Sequence, residues 1–170
     1  MFSNIPPVTK ALLIANGVVF VLQWLLASTG VFDLFMLWPL VDDGNPFNGA
    51  IPFLPWQLLS YSFLHASLPH VGFNMLALLM FGAPLEYTWG NRRFLAYYLT
   101  CVAGAGLCQL AVGTVAVAQG SGAYPTLGAS GGVFGLLLAY GMLFGWLLIR
   151  YGRGQPPFGK RGPPRPRIVR

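Results

Sequence analysis

The chain has 170 residues, 55% of them hydrophobic and 8% charged, with a formal net charge of +6 and a mean hydropathy of +0.62. So little charge cannot cover a water-soluble globule of this size, which excludes that class and points to a lipid solvent. The length allows one small domain, and the cations are assigned to topology and lipid headgroups, with no nucleic-acid partner expected.

The opening MFSNIPPVTK puts one cation ahead of an apolar run and has no clear small-residue cleavage site. Residues Ala11 to Ala27 are therefore expected to form a retained first helix rather than a removed leader. Ser28 to His70 follows, carrying Asp33, Asp42 and Asp43 among aromatics such as Phe35, Trp38 and Trp56. Its apolar pieces FDLFMLWPL and WQLLSYSFLHA are shorter than a span, which predicts helices lying in the interface or partly re-entrant. Val71 to Trp89, Phe94 to Val117 and Ser130 to Tyr151 are each close to the roughly 20 apolar residues that cross a bilayer as a helix. Glu86 sits inside the first of these three, near its end.

The ten cations fall at Lys10, at Arg92 and Arg93, or from Arg150 onward, which are alternate ends of the four helices. The positive-inside rule then predicts a cytoplasmic N-terminus, second-to-third loop and tail, with the Asp-containing segment and GSGAYPTLGAS outside. Beyond Tyr151 the composition changes to Gly, Pro and Arg, so residues 1–151 are expected to be the membrane domain and 152–170 a disordered basic tail. Cys101 and Cys108 are seven apart, on one helix face but roughly 10 Å apart along the axis, too far for a disulfide.

Chemistry is concentrated in two places. Gly128-Ala129-Ser130-Gly131-Gly132 fits G-x-S-x-G, but the serine opens a membrane helix instead of following a strand, which disfavours a soluble hydrolase elbow. Gly131 and Gly135, four apart, also have a plain packing use, since small residues let membrane helices approach closely. The second place is FLHASLPHVGFNML, where His65 and His70 precede the second span and Asn74 lies one turn after His70. An imidazole and a carboxamide on one helix face are a donor pair able to stabilise a developing oxyanion, and polar groups at spans are candidate functional groups by default.

These pieces resemble the rhomboid family of intramembrane serine proteases. The resemblance rests on Pro55-Trp56-Gln57-Leu58-Leu59, Phe63-Leu64-His65 with Ser67, His70 with Phe73-Asn74-Met75-Leu76, Phe81-Gly82, Glu86, Gly90 with Arg93-Phe94, and Gly128-Ala129-Ser130-Gly131 with Val133-Phe134-Gly135. It implies an all-α bundle carrying four of the family's six spans plus an interfacial first loop, in an integral membrane protein of a bacterial inner membrane. Ser130 would be the nucleophile, and its own N–H with the side chains of His70 and Asn74 would form the oxyanion hole. Gly128, Gly131, Phe134, Gly135 and His65 would support the site, with Phe134 one turn below Ser130 and Gly131 and Gly135 facing the family's sixth helix. Substrates would be single-span membrane proteins, and neither metal nor cofactor is implied.

One element of the pattern is missing. The family's general base is a histidine on its sixth helix, whereas both histidines of this chain match the second-helix pattern. General-base assistance is worth about 10² to 10⁴-fold, so a serine with only an oxyanion hole is expected to be nearly inert on peptide bonds. The expectation is therefore an intramembrane serine endopeptidase by descent. Its alternative is an inactive relative that holds transmembrane helices in the exposed groove between the second and fourth spans, and without the family's fifth and sixth helices Gly131 and Gly135 are expected to present an unfilled groove to lipid or a partner. A small transporter or assembly factor would leave the coincidence of His70, Asn74 and GASG unexplained. A shifted reading frame beyond Tyr151 would account for the tail. Oligomeric state is open at this stage.

Overall fold

A computed structural model describes residues 5–41 and 51–153. Asp42 and Asp43, and the tail from residue 154 on, lie outside the described residues. Within them the protein is an all-α membrane protein. Four helices are long and apolar enough to cross a bilayer: α1 (Pro7–Leu25), α3 (Leu68–Trp89), α4 (Asn91–Ala118) and α5 (Ser130–Gly152). The single turn α2 (Gln57–Ser60) lies between the first two.

The starts of α1, α3 and α4 fall earlier than apolar periodicity predicts, whereas α5 starts at Ser130 as expected. At α1, Pro7 occupies the first helical position, where a missing N–H costs nothing. The next donors are met from far along the chain: Glu86 Oε1 accepts from Val8 N at 2.9 Å, and its Oε2 accepts from Thr9 N at 2.7 Å and Thr9 Oγ1 at 2.8 Å. A carboxylate at the positive end of a helix, taking three charge-assisted bonds, ties the α1 start to the α3 end. At α3, Ser67 is the N-cap and its hydroxyl accepts from His70 N at 3.3 Å. His70 thus lies inside the first turn of the helix and not ahead of it, a correction to the expected start at Val71.

Pro84 lacks an N–H, and the chain widens just before it into a π turn over Leu78–Gly82. Gly90, at φ +79°, then reverses the chain in a single residue between α3 and α4. The core lies where α3, α4 and α5 meet, with Leu78, Leu85, Phe94, Tyr98, Val102 and Leu136 wholly buried. Outer faces stay apolar, as lipid demands: Trp24, Phe73, Leu107, Met142 and Leu148 are all exposed.

The first loop is held down from one place. Buried Gln57 accepts from Trp38 N at 3.2 Å and donates to Leu34 O and Pro52 O at 3.3 Å each. Trp56 Nε1 reaches Leu34 O, and Ser60 Oγ reaches Phe35 O at 2.8 Å. Of the two apolar pieces expected to be short helices, FDLFMLWPL contributes the 3₁₀ turn Val31–Phe35 and WQLLSYSFLHA contributes α2 and the turn Tyr61–Phe63. Leu37 and Thr126 exchange backbone bonds at 3.0 and 2.9 Å, joining the first loop to the segment that leads into Ser130.

Candidate active site

Ser130 is the first residue of α5, half-buried, with Ala129 as N-cap. No side chain caps the helix, so the first-turn N–H groups remain free at its positive end. Among the described residues none makes a hydrogen bond to the Ser130 hydroxyl.

The turn before Ser130 is held closely. Gly128 has φ +121°, a conformation that side-chain-bearing residues rarely adopt. A Cβ there would also lie 2.7 Å from His70 Nε2 and 3.9 Å from Asn74 Nδ2, so glycine is required on both counts. His70 and Asn74, a turn apart on α3, therefore converge on the residue two before Ser130. Gly128 N donates to Tyr61 O at 2.9 Å, and Ala129 N donates to His65 Nε2 at 3.4 Å. The His65 and His70 rings meet edge to face, 5.0 Å between centroids.

Electrostatics follow from burial. His65, 3% exposed, has its pKa lowered to about 4, first by desolvation and then by the neighbouring His70, with the Phe63 carbonyl opposing the shift. It is neutral at pH 7. Burial pushes the Tyr61 phenol up to about 12, so it remains the donor of its 2.8 Å bond to Val102 O. Asn74 Nδ2 is buried without a partner among the described residues, which is unusual for an amide and leaves a donor free for a ligand oxygen. A cavity of about 730 Å³ opens beside His65, walled by Phe20, Gln23 and Trp24 on one side and by Ala66, Leu68 and Leu127 on the other.

The remaining predicted residues separate from this cluster. Phe134 is 68% exposed on the outer face of α5. Gly131 and Gly135 do not face an empty groove, contrary to expectation, because α4 already fills that side. A Cβ on Gly131 would meet Ala105 at 2.5 Å, one on Gly132 would meet Tyr98 at 2.5 Å, and one on Gly135 would run into Cys101 Sγ. Tyr97 donates to Gly135 O at 2.9 Å, completing the seam. Cys101 and Cys108 are both free thiols.

Two contributors went unnoticed in the sequence. Tyr61 bonds both Gly128 and Val102, and Gln23 accepts from His65 N at 2.9 Å. The signal for Gln23 was available, since Thr9, Asn16 and Gln23 recur every seven residues in an apolar helix, and Thr9 and Asn16 are wholly buried.

A family model described as Rhomboid domain matches residues 53–156. The chain is 36% identical over 85 residues to Rhomboid-related protein 3 of Homo sapiens, covering 50% of this chain and 19% of that protein. It is 40% identical over 82 residues to Rhomboid protease GluP of Bacillus subtilis, covering 48% and 14%. Similarity to Rhomboid protein 1, mitochondrial, of Saccharomyces cerevisiae runs over 145 residues at 28% identity, covering 85% and 41%. The chain thus spans less than half the length of each of these relatives.

Proposed function

This chain belongs to the rhomboid family, and from that premise we propose that it carries the nucleophile and oxyanion half of an intramembrane serine endopeptidase site. Ser130 is the nucleophile. Its N–H, His70 and Asn74 receive the oxyanion formed when a peptide carbonyl is attacked. The observation that carries this reading is the convergence of His70 Nε2 and Asn74 Nδ2 on Gly128, with the Asn74 donor unpartnered. Gly128, Gly131 and Gly135 hold the turn and the helix seam. The substrates we assign are single-span membrane proteins; the cavity beside His65 meets the turn at Leu127. A proton acceptor for Ser130 has to come from outside this set of residues: His65 Nε2 already accepts from Ala129, and His70 Nε2 lies against Gly128.

The assigned location is a bacterial inner membrane; the assigned orientation, with N-terminus and tail cytoplasmic, is supported by Lys10, Arg92, Arg93 and Arg150 at alternate helix ends. Residues 1–151 make the membrane domain and 152–170 the tail.

The test is labelling by a fluorophosphonate of the purified chain in detergent. Labelling that disappears in Ser130→Ala supports the nucleophile; equal labelling of both chains refutes it. The second reading, a non-catalytic holder of transmembrane helices, draws on one observation: Phe73, Leu76 and Met80 of α3 and Phe134, Leu138 and Met142 of α5 are all exposed large apolars. Capture of a model membrane helix by a chain that never labels would favour it.

A further inference from the structure

His65 touches more of the site than its supporting part in the family pattern accounts for. Its backbone N–H is held by Gln23 Oε1 at 2.9 Å, near the outer end of α1. Its ring nitrogen Nε2 takes the Ala129 N–H at 3.4 Å, and its ring edge rests against His70. Ala129 is itself wholly buried and is the N-cap of α5. An unbroken set of contacts therefore runs from the first span, through one imidazole, to both sides of the candidate site: the turn that carries Ser130 and the ring that supplies an oxyanion donor.

We propose that His65, anchored by Gln23, is the positioning residue of the Ser130 turn. The proposal rests on the nucleophile reading above, and it assigns His65 a tautomer. An Nε2 that accepts from Ala129 cannot carry a proton, so in the neutral ring the proton is on Nδ1. That commitment removes His65 from the candidates for general base and makes it a brace that fixes where Ala129, and with it Ser130, sits relative to His70. Loss of the brace frees the N-cap of α5 to shift, and small misplacements of a reacting group are costly. Gln23 acts one step further back, by holding the His65 backbone.

The chain contains only two histidines, so a sample with ¹⁵N-labelled histidine in phospholipid bilayers gives a spectrum that single substitutions assign. The expected result at pH 7 is His65 neutral with its proton on Nδ1. Three variants of the full chain then separate bracing from bulk. His65→Phe keeps a flat ring without an acceptor, His65→Gln restores an acceptor, and Gln23→Leu removes the anchor. Losing one hydrogen bond of ordinary strength predicts about fivefold slower fluorophosphonate labelling of Ser130 in His65→Phe. The His65→Gln variant returns to within about twofold, and the Ala129 amide resonance moves further in the His65→Phe variant than in the Gln variant. A proton found on Nε2 of His65, or equal labelling in the Phe and Gln variants, overturns the proposal. A wild-type chain that does not label refutes the nucleophile reading instead. The tautomer and the Ala129 amide then decide the brace: it stands with Nδ1 protonated and the amide moved further in the Phe variant, and falls otherwise.

Discussion

The two ends of the α1–α3 pairing are built on opposite principles. At one end Glu86 is buried with both carboxylate oxygens taken, by Val8 N, Thr9 N and Thr9 Oγ1. At the other end, around Ser130, buried polar atoms are left open, among them Asn74 Nδ2 and His65 Nδ1. A saturated buried cluster stabilises a helix pairing, because every donor taken from water is repaid. Open donors in a low-dielectric site cost stability and have a use only when a ligand supplies the missing charge. The contrast distinguishes the two ends of this pairing; away from the site, Asn16 Oδ1 and Tyr98 OH are also buried without a partner among the described residues.

The strongest way to break that comparison is Glu86→Leu. Two backbone donors and a hydroxyl lose their acceptor together, and the unfolding free energy in detergent should fall by about 3 kcal/mol, with Glu86→Gln recovering part of it. A neutral result would mean that the α1 start is solvated and not clamped. At the open end the expectation reverses. Asn74→Ala removes an amide donor that has no partner, so thermal stability should hold or rise, while fluorophosphonate labelling of Ser130 drops by about 10²-fold. Equal losses of stability and labelling would return Asn74 to a packing role.

The glycine seam gives a third comparison within one helix. Gly135→Ala drives a methyl into Cys101 Sγ and should cost about 2 kcal/mol, only partly relieved by Cys101→Ala because Cys101 Cβ would still lie 2.7 Å away. Gly141→Ala meets nothing within 4 Å and should stabilise α5 slightly through helix propensity. Melting curves of the four chains decide it. The last comparison is a pH slope. The folded pKa of His65 lies at about 4 against an ordinary 6.5, so between those values the unfolded chain binds more protons than the folded one. Stability is full above about pH 6.5 and is lost as pH falls through about 4, and His65→Gln should flatten that part of the profile.

Four helices were legible because lipid imposes a one-dimensional rule: enough consecutive apolar residues must form a helix that satisfies its own backbone. The glycine-flanked Ser130 and the four-residue spacing of His70 and Asn74 were legible for a similar reason, since residues that act together there are neighbours in the chain. The start of α3 was not read: periodicity placed it at Val71, and the capping role of Ser67 ahead of Pro69 emerged only in the folded chain.

Packing decided the rest. Nothing local tells Gly131 and Gly135 which helix they admit, and only the docked bundle shows α4 against them. Glu86 could be read as a charge near a helix end, but its service to Thr9 spans 77 residues. Gln23, His65 and Ala129 come together only when α1, α3 and α5 are assembled. Amino-acid order determined which segments enter lipid, that a glycine-flanked serine opens the fourth span, and that a histidine and an asparagine lie four apart at the start of the second. Tertiary structure alone decided which polar groups are spent on holding helices and which stay open, because satisfaction of a buried donor depends on what lies opposite it in space.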